Sequence, residues 1–125
     1  MAIAKPVKQK VSTLRNKADK LLQELGRKTY SRCAVCGGNA YSCLHHFIPK
    51  SLSSALRYDW DNCVPVCHSC HFSIHSKDDP WMYERMIAWL GTEKMNRIAK
   101  KRRDTVKTNS AYYKSIIERL QKALE

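Results

Sequence analysis

Cys33-Ala34-Val35-Cys36, Leu44-His45-His46-Phe47 and Cys67-His68-Ser69-Cys70-His71-Phe72-Ser73-Ile74-His75 gather all five histidines and four of the six cysteines into one short span. Two Cys-x-x-Cys pairs about thirty residues apart supply the four thiolates that fill a tetrahedral zinc. Cys33, Cys36, Cys67 and Cys70 therefore read as a structural zinc site. A segment this short, with few large aliphatic residues, needs such a cross-link to fold stably. Cys43 and Cys63 stand outside any chelating pair and read as small buried hydrophobes.

The histidines are then in surplus. On a helix, His71 and His75 lie four residues apart, so both rings leave one face and can bind one ion. Zinc-anchored Cys67 and Cys70 fix the start of that helix and aim the pair at the His45-His46 doublet. Successive strand residues point to opposite sides, so one ring of the doublet can ligate metal while the other faces substrate. His68, between two cysteine ligands, is expected in solvent. Extra ligands beside a closed zinc site imply a second, open metal, and an open metal implies chemistry.

Charge is distributed around this span in a telling way. The chain of 125 residues carries a net +12. Residues 1–32 contribute +7 (nine Lys/Arg, two acids), residues 33–79 contribute −1 (three and four), and residues 80–125 contribute +6 (eleven and five). A nearly neutral metal core between basic arms suits a protein that grips phosphates on both sides of a reaction centre. Lys5, Lys8, Lys10, Arg15, Lys17 and Lys20 form one candidate nucleic-acid-binding patch, and Lys100, Lys101, Arg102 and Arg103 form the other. The length suits one domain over 1–125: a basic N-terminal helix (1–32), the metal core (33–76) and C-terminal helices (77–125). No apolar run reaches bilayer length, so no membrane role is expected. The basic N-terminus has no hydrophobic stretch behind it, so no signal peptide is read. Six cysteines in that setting are expected as reduced metal ligands in the cytoplasm.

Flanking periodicity completes the outline. Val11, Leu14, Ala18, Leu21, Leu22 and Leu25 recur at helical spacing, and Gly26 reads as the C-cap of a helix over 11–25. Cys36-Gly37-Gly38-Asn39 reads as a turn between brief extended pieces, 47–62 as a loop, and 67–76 as a short helix. Asp79-Pro80 starts a helix that Gly91 ends. Thr92 caps the next, through about Arg103, from which the basic cluster is expected to project. Ser110 caps the last. That helix's stripe of Ile116, Ile117, Leu120 and Leu124 leaves two uses open, packing on the core or a homodimer seam.

The run Leu44-His45-His46-Phe47-Ile48-Pro49-Lys50-Ser51-Leu52, followed by Asp61-Asn62-Cys63-Val64-Pro65-Val66-Cys67-His68-Ser69-Cys70-His71-Phe72-Ser73-Ile74-His75, resembles the HNH endonucleases. The resemblance implies a mainly α fold with a small β-hairpin: a zinc-stapled ββα-metal core flanked by basic helices. It implies that His46 is the general base, that Asn62 orients it, and that His45, His71 and His75 hold a catalytic divalent metal (Mg2+, Mn2+, Ni2+ or Zn2+). His45 stands where many members have Asp, and imidazole ligands favour the softer of these metals. The partner would be DNA, cut to 5′-phosphate and 3′-hydroxyl ends. The basic flanks, Trp89-Leu90-Gly91-Thr92 and Tyr112-Tyr113 more weakly resemble the NinG family of phage recombination nucleases. This implies branched DNA as substrate, in a bacterial or phage-infected host cell.

Other classes account for less of the sequence. A non-catalytic zinc-binding nucleic-acid module explains thiols and charge but leaves His45, His46, Asn62, His71 and His75 unused. A zinc nucleobase deaminase needs a His-x-Glu motif, and no Glu falls between Leu25 and Tyr83. A toxin nuclease domain shares the active site but ordinarily comes with translocation modules or an inhibitor.

Overall fold

The computed structural model describes residues 10–77 and 79–125. Among these, the chain forms helix α1 (Val11–Thr29), strand β1 (Cys43–His46), a 3-10 turn (Trp60–Asn62) and strand β2 (Cys63–Val66). Helices α2 (His68–Lys77), α3 (Pro80–Lys101) and α4 (Ser110–Leu124) follow. The fold is mostly helical around one antiparallel pair, β1 against β2, in the register His45 opposite Val64 and His46 opposite Cys63. No helix among the described residues is long and apolar enough to cross a membrane.

The hairpin separates two apolar clusters, because adjacent strand residues face opposite ways. Val64 and Val66 join Val35, Leu56, Met86 and Ile98 on the side of the four clustered thiols. Leu44 and Cys63 join Leu14, Ala18, Leu22, Ile116 and Leu120 on the other. Pro65 brings no N–H to the ladder, yet its carbonyl accepts the Ala34 N–H at 2.8 Å. That bond ties the first thiol-bearing segment to the strand leading into the second. The 30–44 segment turns at Gly37, with φ +70°, and is closed by a bridge between Arg32 and Ala40.

The α1 helix does not stop at Gly26. It continues to Thr29, and Tyr30 N–H caps it by donating to Gly26 O at 2.9 Å. Gly26 is instead a point of close approach, since a Cβ there would lie 2.5 Å from both Leu44 Cγ and Tyr41 Oη. Gly26→Ala would gain about 1 kcal/mol of helix propensity but collide with a branched carbon of the core, an overpacking that costs about 1–3 kcal/mol. The collision should win. Chemical denaturation should show net destabilisation, whereas a stabilised variant would mean that β1 yields freely.

One further boundary differs from the sequence reading, the cap of α4, while the break expected at Gly91 is present. Asn109 rather than Ser110 caps α4, its side chain accepting Tyr112 N–H at 2.9 Å. The α3 helix breaks at Gly91 (φ 84°, ψ 163°) into two pieces, 80–90 and 92–101. The second piece lies against the 3-10 turn, held by Arg97 to Asp61 at 2.7 Å and Lys101 to Asp59 at 2.8 Å. The basic cluster therefore does not project on a free helix. The apolar stripe of α4 is also committed: Tyr113, Ile116, Ile117 and Leu120 are buried with Leu14, Ala18 and Leu22 of α1. The structure gives no support for a homodimer seam through that face, because α1 already covers most of it.

Candidate metal centres and active site

The ligand atoms of Cys33, Cys36, Cys67 and Cys70 all lie within 4.8 Å of one another. Cys33, Cys67 and Cys70 are buried and Cys36 is exposed. Each pair wraps its sulfur in local donors: Val35 N–H points at Cys33 Sγ (3.4 Å) and Cys70 N–H at Cys67 Sγ (3.4 Å). Asn39 Nδ2 donates to Cys67 Sγ at 3.6 Å. Hydrogen bonds from the Asn39 and Gly38 backbone bring the Cys36 thiol down to about 6. Cys67 also falls below the usual thiol range, the donors from Cys70 and Asn39 outweighing its burial. Burial, then the neighbouring thiols, push Cys70 up. Four sulfurs this close cannot all ionise without a cation among them. The donor set fits zinc.

A second cluster forms from His45, His71 and His75, whose ligand nitrogens also lie within 4.8 Å of one another. The two α2 rings present Nε2 atoms 2.9 Å apart, and the His45 ring sits edge-on to both, at centroid distances of 5.5 and 5.1 Å. Burial, then His71 and His75, hold His45 down at about 3. Burial and then His75 lower His71 as well. Unprotonated imidazoles offer the lone pairs that a divalent ion needs. His71 Nδ1 meets Cys43 Sγ at 3.5 Å, so Cys43 steadies a ring of this cluster rather than merely filling space. His68 is exposed and belongs to neither cluster.

His46 turns the other way. Its Nε2 lies 2.8 Å from Arg57 O, and a carbonyl only accepts, so Nε2 carries the proton and Nδ1 the lone pair. Burial holds its pKa below the ordinary imidazole value despite that bond. The ring's hydrogen-bond partner is thus a backbone oxygen, and Asn62 bonds the loop that carries it rather than the ring. Asn62 is 0% exposed, and its amide is fully engaged with the preceding loop. Oδ1 accepts Ile48 N–H at 2.8 Å, while Nδ2 donates to Ile48 O at 3.0 Å and Leu56 O at 3.3 Å.

These histidines line a cavity of about 460 Å³ with Gln23, Pro49, Lys50 and Ser51. Gln23, His46 and Lys50 also line a neighbouring cavity of about 420 Å³, together with the cations Lys20 and Arg27 and the carboxylates Asp19 and Glu24. Gln23 bonds both polar groups of Leu44, N–H at 2.9 Å and C=O at 3.1 Å, and so closes the free edge of β1. Arg57, Lys50, Gln23 and Arg27 escaped the sequence reading, and only Lys50 lay in the quoted motif.

The basic residues divide. Lys10, Lys17 and Lys20 are exposed on or beside α1 and Arg15 is half-buried, while Lys5 and Lys8 lie outside the described residues. Lys100, Arg102 and Arg103 are exposed, and the two arginines line a groove of about 400 Å³ with Ile48, Leu52 and Ser54. Lys101 is engaged with Asp59.

Residues 33–77 match the family model described as HNH endonuclease. No curated protein and no solved structure matches the chain.

Proposed function

We propose, from the match of residues 33–77 to the HNH endonuclease model and from the site's geometry, that the protein is a metal-dependent endonuclease hydrolysing DNA phosphodiester bonds. The observation that carries this reading is the divergence of the histidine doublet. His45 faces His71 and His75, while His46 keeps a proton on Nε2 through Arg57 O and a lone pair on Nδ1. In this mechanism Nδ1 takes a proton from water as the water oxygen attacks phosphorus in line with the departing 3′ oxygen. The products carry 5′-phosphate and 3′-hydroxyl ends. A divalent cation held by His45, His71 and His75, whether Mg2+, Mn2+, Ni2+ or Zn2+, would supply Lewis-acid stabilisation of the charge developing on the phosphate. Zinc on the four cysteines would have no open position and would serve the fold. Lys50, Lys20 and Arg27 would hold phosphates beside the scissile one.

Branched recombination DNA is the substrate suggested by the likeness of the flanks to the NinG proteins. The test is cleavage of supercoiled plasmid and of linear, branched and single-stranded DNA with each of the four metals. Metal-dependent cuts whose ends DNA ligase reseals are expected. Intact DNA under every condition would overturn the reading.

The basic residues give a separate prediction. Replacing Lys100, Arg102 and Arg103 with Gln should make the log–log dependence of affinity on salt shallower by about 0.9 for each phosphate these side chains neutralise. Binding should weaken across all sequences alike. Lys101→Gln alone should change the slope little, because Asp59 already occupies that ammonium. An unchanged slope in the triple variant would return these side chains to a solvated surface.

A further inference from the structure

Three successive carbonyls of the loop before β2 are each held by a different side chain. Leu56 O accepts Asn62 Nδ2 at 3.3 Å, Arg57 O accepts His46 Nε2–H at 2.8 Å, and Tyr58 O accepts Arg119 Nη2 at 2.7 Å. The side chains of the last two loop residues are gripped as well. Asp19 takes Arg57 Nε at 3.2 Å, Arg57 Nη2 at 2.7 Å and the Tyr58 hydroxyl at 2.8 Å. Asp19 belongs to α1 and Arg119 to α4, so both braces come from outside the matched segment. Those two helices pack on each other through one buried cluster that also contains Tyr58, so the braces are fixed relative to one another.

We infer that Asp19 and Arg119 are positioning residues for the general base, locking from the flanking helices the carbonyl that sets the tautomer and orientation of His46. The inference rests on the nuclease reading and deepens it, giving α1 and α4 a part in catalysis beyond packing. An unbraced loop would let Arg57 O drift. The His46 ring would then lose its single proton-bearing nitrogen and its aim. A misplacement of about 1 Å at such a group can cost on the order of 100-fold in rate. The competing account is that Asp19–Arg57 and Arg119–Tyr58 are ion pairs and hydrogen bonds that serve stability alone.

The two accounts separate in a double-mutant cycle with Asp19→Asn and His46→Ala in the full chain. With His46 present, Asp19→Asn should lower kcat about 10- to 100-fold with KM and zinc content unchanged. In the His46→Ala background the same substitution should cost nothing further, because the group it acts through is gone. Arg119→Met should behave like Asp19→Asn, and Arg119→Lys, which restores a donor, should recover much of the rate. Ring-nitrogen NMR should show His46 as the Nε2–H tautomer in the parent and as a mixture in Asp19→Asn. Equal losses in both backgrounds with an unchanged tautomer would overturn the inference, as would an unaltered kcat in Asp19→Asn. If the parent protein cuts no DNA with any metal, the nuclease reading fails, and the tautomer measurement alone then decides whether the brace exists.

Discussion

His46→Ala is expected to lower the rate of DNA cleavage by about 100- to 10,000-fold, the range for removing a general base, while fold and DNA affinity persist. The expectation follows from where the ring sits. Its Nε2 contact is to Arg57 O, so truncation removes one hydrogen bond and leaves both metal clusters complete. His45 is the contrasting case. Its ring meets His71 and His75, so His45→Ala should weaken binding of the exchangeable metal, and raised metal concentration should partly restore its rate. His46→Ala should gain nothing from added metal. Single-turnover cleavage at matched metal content checks both. Near-parental cleavage by His46→Ala would remove it from the mechanism.

Cys67→Ser should have the largest effect on stability. Its sulfur is buried among the other three thiols and receives two donors, Cys70 N–H and Asn39 Nδ2. Structural zinc contributes about 10–16 kcal/mol of apparent binding free energy, which is folding free energy at such a site. A domain's net stability is only about 5–15 kcal/mol. Loss of the ion is therefore enough to unfold the core, and calorimetry of Cys67→Ser should show no cooperative transition and no bound zinc. Cys63 offers the control. It is equally buried, but burial pushes its thiol up to about 12 and it lies outside the four-sulfur set. Cys63→Ala should keep the zinc and lose only a core-packing increment. A cooperative, zinc-bearing Cys67→Ser would contradict the assignment.

What the sequence disclosed, and what it hid, follows from how far each interaction reaches. The thiol pairs and His71/His75 are legible because metal chelation and helical geometry both impose short fixed spacings. The opposite aims of His45 and His46 follow from strand alternation alone. Gly26 misled because a glycine at the end of an apolar stripe looks the same whether it caps a helix or admits a neighbour. Only Leu44, brought against it by the fold, tells them apart. The apolar stripe of α4 likewise states that it must be covered but not by what, and α1 covers it. Arg57 O could not be found in advance, since every residue carries a carbonyl and nothing in its identity marks the one a histidine will use. Nothing in the sequence sets Asp19 apart, and Lys101 reads as one of four phosphate-binding cations, until their partners, Arg57 and Asp59, come into reach.

The central claim is that two metals with different duties occupy the two clusters, one closed on Cys33, Cys36, Cys67 and Cys70 and one open on His45, His71 and His75. Stepwise chelation tests it most directly, with bound metal, circular dichroism and plasmid cleavage followed on the same samples. The account predicts that mild chelator abolishes cleavage while one zinc per chain and the helical spectrum remain, and that added divalent metal restores activity. A single metal, lost together with structure and cleavage in one step, would contradict it.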